Sequence, residues 1–480
     1  MLDLLHSLWP HITAFILLAI DAWAAGHAIL YKRNPRSATT WIGLILLFPI
    51  VGAVLYILFG INRIQRRAIS LRNQCGPACI GRGGDGTFLA SLPATEHTNI
   101  ETLAEAIQRI TNEPLLEGNT IGPLANGDEA YPAMLAAIAE ARRSITLCTY
   151  IFAYDPTGRR FADALGAAVK RGVEIRVLID DVGARYSLPT IYNTLRKHGI
   201  TCAAFMPTFF HWRMPYINLR NHRKLMVIDG SIAFTGGLNI RHNNILADHA
   251  RDATKDLHFR IEGPVVRQLQ QFFIEDWLFA TKELLEGEPW IAPLERRGDI
   301  PARTIVGGPD EDREKLRAAL LAAISCSRKR LRIVTPYFLP DESLVSALNT
   351  AALRGVQVDI VIPKKCNLRT VGWACQAHLW QVLERGCRVW RTPPPFDHTK
   401  IMTVDDAWSL IGSANWDSRS LRLNFELNVE CYSPELTAAL NERIAEKIKG
   451  AQEATLADLD SRSLPIRLRD GIARLFWPYL

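Results

Sequence analysis

The feature that most constrains the fold of this 480-residue chain is a long internal repeat. Four segments each have a similar segment further along the chain, in the same order: 143–155 and 329–341, 170–181 and 353–364, 221–239 and 397–415, and 255–264 and 425–434. The separation between paired segments shortens slowly from the first pair to the last, as changes in loop length would produce. The chain should therefore fold as two related units.

Each copy of the repeat alternates helical and strand patterns. In 170–181 and in 353–364, the end of an Ala- and Leu-rich stretch is followed by a glycine and then by a buried apolar run. This order is typical of a helix that ends at glycine and leads into a buried strand. We therefore expect an α/β fold with two domains, 116–290 and 300–450, whose sheets contain parallel strands covered by helices. Pseudo-two-fold pairing would let the two domains share one active site.

One polar pattern recurs inside the repeat, H-x-K-x4-D-x6-G-[GS]-x-N. Its members with reactive or hydrogen-bonding side chains are His222, Lys224, Asp229 and Asn239 in the first half, and His398, Lys400, Asp405 and Asn415 in the second. Residues two apart on a strand face the same side, so each His projects together with its Lys. The glycine pair ends a neighbouring strand, lets the backbone approach a ligand and places the Asn nearby. We assign the His, Lys and Asp residues to the catalytic motif, with the two Asp fixing the turn at the strand end.

This doubled set suits the chemistry of a phosphodiester. One neutral imidazole can attack phosphorus while the other, protonated, donates its proton to the leaving alkoxide. The two Lys would neutralise the phosphate, and Asn239 and Asn415 would bind it through hydrogen bonds. Since the lysines supply the positive charge, we expect no cofactor and no metal.

Each imidazole also needs a partner that fixes its orientation and tautomer. Asp256 follows His222 in the first half, and Glu426 follows His398 at a similar separation in the second. Because the two acids occupy matching places in the repeat, we expect them to orient the histidines.

The N-terminal segment, 1–68, predicts a membrane hairpin. Residues 41–61 carry no charge and would span about 31 Å as a helix, enough to cross a hydrocarbon core. Residues 10–31 form a weaker span that contains Asp21, which we expect to cap an interhelical contact or to lie near water. A signal peptide fits poorly, because no Lys or Arg precedes the apolar run. The basic residues before and after the second span are nearly equal in number, so they do not decide the orientation in the membrane. The spacing of the nine cysteines shows no disulfide framework, which favours a cytoplasmic location for the catalytic part.

The doubled motif resembles the phospholipase D superfamily, and the resemblance extends to bacterial cardiolipin synthases. Segments 33–60 and 412–428 look like the membrane segment and the second-motif region of that family. The resemblance implies two phospholipase D-like domains, a metal-independent mechanism, His222 as nucleophile and His398 as general acid and base. It also implies the conversion of two phosphatidylglycerols into cardiolipin and glycerol at the bacterial inner membrane. Asp397 and Lys255 depart from the family pattern, which puts the substrate preference in question.

Segments outside the motif also favour a lipid substrate. Phe209, Phe210 and Trp212 form an aromatic stretch that could enter headgroups or line an acyl-chain groove, with an ordinary core strand as the alternative. The tail, 451–480, mixes Arg with apolar residues, as an interfacial helix on anionic lipid would, with packing on the domain as the alternative. The net charge of +7 suits an anionic surface but does not distinguish acidic lipid from nucleic acid. Residues 69–115 look like a linker.

Three other functions share parts of this pattern. A phospholipase D that hydrolyses lipid would have the same motif and differ only in the access of water. A membrane-tethered nuclease would need a long basic groove with stacking aromatic residues, which the sequence does not clearly show, so we expect no nucleic-acid partner. A non-catalytic membrane scaffold would keep its function after loss of His222.

Overall fold

The computed structural model of the chain describes residues 2–32, 35–60, 90, 98–207, 219–248, 253–309 and 314–476. These residues form two compact units, the N-terminal helices up to residue 60 and a larger α/β body from residue 90 onward. The aromatic stretch with Phe209, Phe210 and Trp212 lies outside the described residues, as does much of the predicted linker.

The N-terminal unit contains α1 (Leu2–Tyr31), α2 (Pro35–Leu47) and α3 (Val51–Leu55), which continues as a π-helical turn over Tyr56–Gly60. Within the described residues, one helical segment, His11–Tyr31, is long and apolar enough to cross a membrane.

The second predicted span, 41–61, is not one continuous helix. It is interrupted between Leu47 and Val51, where Pro49 has no N–H to donate and Ile50 has a left-handed φ of 68°. The carboxylate of Asp21 accepts a hydrogen bond from the freed Ile50 N–H at 3.0 Å. Asp21 therefore caps an interhelical contact, which is one of the two roles expected for it.

The first half of the α/β body begins with α4 (Thr98–Thr111). Its strands are β1 (Leu116–Ala125), β2 (Ser144–Thr149), β3 (Glu174–Asp180), β4 (Thr201–Phe205), β5 (Arg220–Asn221), β6 (Leu225–Ile228), β7 (Ile232–Gly236), β8 (Thr254–Lys255) and β9 (Leu257–Glu262). Its further helices are α5 (Asn126–Glu140), α6 (Pro156–Lys170), α7 (Asp181–Ala184), α8 (Tyr192–Lys197) and α9 (Val265–Thr281).

The helix α4 corrects part of the linker prediction. It lies inside the segment 69–115, and its Leu103 and Ile107 are fully buried in an apolar cluster with residues of the second half. These side chains recur four residues apart, so they share one face of the helix and can enter the core together. The glycine-rich composition that suggested a linker belongs to the earlier part of the segment.

The second half repeats this order of elements. Its strands are β10 (Ile300–Gly307), β11 (Arg330–Val334), β12 (Phe338–Leu339), β13 (Gln357–Pro363), β14 (Arg388–Thr392), β15 (Phe396–Asp397), β16 (Ile401–Val404), β17 (Trp408–Gly412), β18 (Trp416–Asp417), β19 (Asn424–Tyr432) and β20 (Gln452–Ala454). Its helices are α10 (Lys315–Cys326), α11 (Glu342–Leu353), α12 (Arg369–Gln376), α13 (Trp380–Leu383), α14 (Ser418–Arg422), α15 (Pro434–Lys449), α16 (Leu456–Asp460) and α17 (Leu464–Leu475).

Both halves contribute to one sheet, in which β1 pairs with β10 in antiparallel fashion. Outward from this pair, the first half runs β9, β7, β6, β2, β3, β4, and the second runs β19, β17, β16, β11, β13, β14, β20. Repeat-equivalent strands thus occupy equivalent positions on the two sides, so the strand order is pseudo-two-fold symmetric about the β1–β10 pair. The outer strands β2, β3 and β4 are parallel, as are β11, β13 and β14, because helices connect them.

Alternating residues of the strands face two layers of helices. In β2, Ile145 and Leu147 belong to an apolar cluster with residues of α5 and α6. Thr146, between them, donates a hydrogen bond to Gln270 of α9 at 2.8 Å. Since successive strand residues point to opposite faces, α9 covers the face opposite to α5 and α6.

A buried ion pair lies beside the β1–β10 pair. The Arg303 guanidinium on β10 contacts the Glu430 carboxylate on β19 at 2.5 Å, and both side chains are fully buried. Arg303 also donates to the carbonyl groups of Ala104 and Glu113, and Glu430 accepts from the indole of Trp408. These bonds satisfy both charges in an environment that excludes water.

We predict that Arg303→Met lowers the free energy of unfolding by about 3–5 kcal/mol, because the Glu430 carboxylate would stay buried without its cation. Thermal or denaturant unfolding of the detergent-solubilised chain would measure the change. Arg109→Met, which removes an exposed ion pair with Glu105, is the matched control and should have little effect. Equal destabilisation by both substitutions would contradict the role of the buried pair.

Candidate active site

The segment that carries His222 leaves its own half and pairs with a strand of the other half. β5 runs parallel to the start of β19, with Asn221 opposite Phe425, and the His222 N–H donates to the Phe425 carbonyl at 2.9 Å. Glu426 is the next residue on β19. Its Oε1 lies 3.0 Å from Nδ1 of His222.

The second half repeats this arrangement in the opposite direction. β15 runs parallel to β8, with Asp397 opposite Lys255, and the His398 N–H donates to the Lys255 carbonyl at 2.7 Å. The Oδ2 atom of Asp256, the next residue, lies 2.8 Å from Nδ1 of His398. Each predicted acid therefore meets an imidazole, but the imidazole of the other half. Neither half alone supplies both members of either of these two active-site pairs.

The glycine-pair positions of the motif lie against the two carboxylates. Ser413 donates its hydroxyl proton to Glu426 at 2.5 Å, and Asn424 donates to the same carboxylate at 3.1 Å. At the equivalent position in the first half, a Cβ added to Gly237 would overlap the carboxylate of Asp256. Gly237 therefore provides the space that the shorter acid occupies, while Ser413 supplies a hydrogen bond to the longer one. The motif contained both positions, but the sequence alone did not assign them these roles.

Both lysines fold back toward their own histidines. Lys224 Nζ donates to the carbonyl of His222 at 2.6 Å. Lys400 donates to the carbonyl of His398, and its Nζ lies 2.8 Å from Nδ1 of that ring. Both side chains are buried, and both ammonium groups lie near enough to His222 to act on its protonation.

An aromatic residue that the motif does not include also lies at this site. The ring centres of Tyr150 and His222 are 5.3 Å apart, and Lys224 Nζ lies 5.6 Å from the ring centre of Tyr150. The repeat gave no signal for it, because Pro336 occupies the matching position in the second half.

Burial shifts the protonation equilibria of the whole cluster. It lowers the pKa of His222 well below the usual value, and the neighbouring charges of Lys224 and Lys400 lower that pKa further. Burial likewise lowers the pKa of His398 to about 4. Both imidazoles are therefore neutral near pH 7. A carboxylate beside Nδ1 favours the tautomer that carries its proton there, and in that tautomer Nε2 keeps a free lone pair.

Burial also shifts the pKa values of both lysines and of Glu426. Burial lowers the pKa of Lys224 to about 7 and that of Lys400 to about 8. Burial also raises the pKa of Glu426 to about 7. Burial makes the charged forms of the two lysines costly, and an anionic ligand beside the ammonium groups would stabilise those forms.

The two asparagines differ in their surroundings. Asn239 accepts a hydrogen bond from the Ile151 N–H at 3.2 Å through its Oδ1. Asn415 is buried, and its Oδ1 has no hydrogen-bond partner within the described part of the chain. Asn415 also lines a small cavity next to Lys400.

The two aspartates of the motif lie away from the imidazoles, at the far ends of β6 and β16. Asp229 accepts hydrogen bonds from the backbone N–H groups of Arg143 and Ser144 at 2.7 and 2.9 Å. Asp405 accepts from those of Lys329 and Arg330 at the same two distances. Both aspartates have left-handed φ angles, 51° and 49°, which Asp tolerates. Their contacts are those of turn residues that attach one strand to its neighbour.

The residue before each histidine ties its segment to the last long helix of the same half. Asn221 donates to Asp276 of α9 at 3.0 Å. Asp397, the departure from the family pattern, is buried and accepts a hydrogen bond from Lys447 of α15. The carboxylate of Asp397 is therefore engaged by a helix of its own half.

Comparisons with known proteins agree over most of the chain. The family model described as cardiolipin synthase, PLD-like domain, matches residues 134–277 and 320–448, and the one described as phospholipase D-nuclease N-terminal matches residues 19–60. The cardiolipin synthase of Geobacillus sp. (strain WCH70) is 32% identical over 455 residues, which cover 94% of this chain and 90% of that protein. That of Oceanobacillus iheyensis is 31% identical over 470 residues, covering 96% and 97%.

A solved structure is similar in fold. The phosphatidylserine synthase of Haemophilus influenzae Rd KW20 matches with a TM-score of 0.62 at 16% identity, covering 79% of this chain and all of that one. Together with the two family matches and the full-length relatives, this likeness identifies the architecture as phospholipase D-like. The chain belongs to the cardiolipin synthase family of phospholipase D-like phosphatidyltransferases, and it is an enzyme of cardiolipin synthesis.

Proposed function

We propose that this enzyme transfers a phosphatidyl group from one phosphatidylglycerol to another, giving cardiolipin and glycerol through a phosphohistidine intermediate. The observation that carries the proposal is the exchange of carboxylates between the halves, His222 with Glu426 and His398 with Asp256. It supports two neutral imidazoles acting from one site together with two buried lysines.

In the first step, Nε2 of His222 attacks the phosphorus of phosphatidylglycerol. The bond between phosphorus and the headgroup oxygen breaks, and the leaving glycerol takes a proton from His398. The pKa of His398, lowered to about 4 by burial, is compatible with this role, because a bound phosphate adds a negative charge that favours the protonated ring. The products are a phosphatidyl group on His222 and free glycerol.

In the second step, the terminal glycerol hydroxyl of another phosphatidylglycerol gives its proton to His398 and attacks the same phosphorus. The phosphorus–nitrogen bond breaks, which releases cardiolipin and restores neutral His222. One phosphodiester replaces another, so the exchange is close to thermoneutral. Lys224 and Lys400 neutralise the phosphate oxygens in both steps, and Asn239 and Asn415 bind it through their amide groups.

Asp229 and Asp405 belong to the motif in this proposal as residues that hold its strands. Asp256 and Glu426 orient the rings and stabilise the imidazolium form. We keep 116–290 and 300–450 as the boundaries of the two domains.

We also propose that the enzyme spans the bacterial inner membrane twice through its N-terminal segment, 1–68, with the catalytic body in the cytoplasm. The apolar helix His11–Tyr31 and the apolar segment that follows it support this topology. The cysteines of the described residues are all free, including the buried Cys148, Cys387 and Cys431, as expected in a reducing compartment.

The purified chain in detergent should convert phosphatidylglycerol into a four-chain diphosphatidyl lipid and glycerol, as followed by mass spectrometry. Phosphatidic acid as the only phospholipid product would indicate that water is the preferred acceptor and would favour a hydrolase. Cleavage of an oligonucleotide without lipid turnover would favour a nuclease. Unchanged cellular function of His222→Ala would favour a scaffold.

The roles of the two histidines can be separated with a ³²P-labelled phosphatidyl substrate that carries a p-nitrophenyl headgroup. Since this leaving group needs no proton, His398→Ala should still form the adduct and accumulate it, because the second step lacks its base. His222→Ala should form no labelled protein. His198→Ala, which alters a histidine paired with Asp163 outside the site, should behave like the unaltered chain. Equal labelling of the His222 and His398 variants would refute the assignment.

We predict that kcat/KM falls as the pH rises above about 7, by up to about tenfold per pH unit at first and by up to about a hundredfold per unit above about 8, where both lysines lose their charge. The pKa values of Lys224 and Lys400 are lowered by burial to about 7 and about 8, and the charged forms that bind phosphate exist only below these values. The kcat should decline at higher pH than kcat/KM, since bound phosphate raises both pKa values. Initial rates from pH 6 to 10 in mixed micelles measure both profiles. A flat kcat/KM over this range would contradict the lysine assignment.

A further inference from the structure

The helix α17 packs on the α/β body through one side only. Asp470 and Ala473 are buried, and Ala473 joins an apolar cluster with Val371, Ala374 and Cys375, all of α12. On the same side of the body, the guanidinium of Arg469 lies 4.4 Å from the ring centre of Trp373 on α12. The helix is therefore fixed in its rotation about its own axis, and its opposite side faces outward.

The outward side is a continuous apolar stripe. Leu464 is 69% exposed, Leu468 57%, Ile472 57% and Leu475 75%. Spacings of four, four and three residues place these side chains on one face of an α-helix. Large exposed apolar residues in a row are unusual on a surface that meets only water.

Arginines flank the stripe. Arg467 and Arg469 keep about half of their side-chain surface exposed, 51% and 44%. Asp470, the acid of this helix, is buried and is bound by Arg462 and Arg469. The exposed surface of α17 is therefore apolar along its centre and cationic along its edges, which complements anionic phospholipid headgroups above their acyl chains.

The same apolar cluster connects α17 to the active site. Besides the α12 residues and Ala473, it includes Tyr337, and Phe396 packs against it. The rings of Tyr337 and Phe396 lie 6.4 and 5.9 Å from the imidazole of His398. A single layer of side chains and α12 thus separates the docked face of α17 from the proposed general acid.

We propose that α17 lies in the headgroup layer of an anionic phospholipid bilayer, with its stripe in the acyl-chain boundary and its arginines on the phosphates. This contact would hold the second half at the depth where the reacting phosphodiesters lie, so that lipid reaches His398 from the bilayer surface. The inference rests on the proposed function for the identity of the lipid, and it adds a membrane contact separate from the N-terminal helices.

Hydrogen exchange of the full chain provides the direct test. The amides of α17 should exchange at least fivefold more slowly in nanodiscs that contain phosphatidylglycerol than in nanodiscs of phosphatidylcholine alone. Arg467→Gln should remove most of this difference. Equal exchange in both nanodiscs would overturn the proposal. Protection in lipid-free detergent that grows with protein concentration would also overturn it, because a second copy would then cover the stripe.

A kinetic comparison separates membrane docking from catalysis. Leu468→Glu/Ile472→Glu should reduce cardiolipin formation at least tenfold in phosphatidylglycerol proteoliposomes, but less than twofold with monomeric short-chain phosphatidylglycerol in solution. Leu353→Glu, at a leucine of α11 that is 70% exposed, is the matched control and should change neither rate. Equal loss on both substrates would overturn the docking role.

Failure of the proposed function has a different signature. If the unaltered chain makes no cardiolipin from either substrate, the proposed reaction is wrong. The hydrogen-exchange measurement still decides whether α17 contacts lipid.

Discussion

The exchange of carboxylates between the halves is the interaction on which the active site depends. A buried imidazole that must attack or protonate needs a fixed tautomer, and a buried carboxylate needs a hydrogen-bond donor. Here each half supplies the histidine of one pair and the acid of the other, because β5 adds to β19 and β15 adds to β8. A half folded in isolation would lack the histidine partner of its acid and the acid partner of its histidine. Formation of the site is therefore coupled to the pairing of the two halves.

The rest of the α/β body maintains that pairing. The β1–β10 pair joins the halves into one sheet, so a strand of one half has a fixed position relative to a strand of the other. The Arg303–Glu430 ion pair lies on β10 and β19, and β19 is also the strand that carries Glu426. Glu426 and Glu430 are four positions apart and so face the same side of β19. The buried ion pair between Arg303 and Glu430 thus holds β19, the strand that carries Glu426, against β10.

Much of the fold and of the active site was predictable from the internal repeat. The other features depend on contacts that the repeat does not encode. The alternation of helical and strand patterns around 170–181 and 353–364 predicted parallel strands covered by helices, and these strands form. The acids Asp256 and Glu426 were recognisable from their matching positions, but separation along the chain does not tell which histidine an acid meets. The break near Ile50 was also hidden, because an uncharged run predicts burial in lipid without predicting where a helix is interrupted. The contacts of Tyr150 had no signal, since its repeat position holds Pro336.

The charge balance of the site explains why it favours a phosphodiester over other anions and over no ligand. Two lysines and two acids make the buried cluster formally neutral, yet burial lowers the pKa values of the lysines to about 7 and about 8, so the acids only partly offset the cost of burying the ammonium charges. One negative charge placed near the ammonium groups raises their pKa values and offsets the remaining cost of their charged forms. A phosphate monoester, with nearly two charges, would overcompensate and would also face the acids.

A phosphodiester brings one charge and two free oxygens for two ammonium groups. In the proposed mechanism, the phosphoryl centre keeps these two oxygens and their single charge when its headgroup is replaced by the His222 ring, and again when the ring is replaced by the second lipid. The positive charge that the ring gains in the covalent intermediate lies next to Glu426, whose carboxylate contacts its Nδ1. One fixed arrangement of charges can therefore serve both steps of the proposed transfer, because the lysines meet the same phosphoryl charge throughout and Glu426 faces the charge that the ring gains in the intermediate.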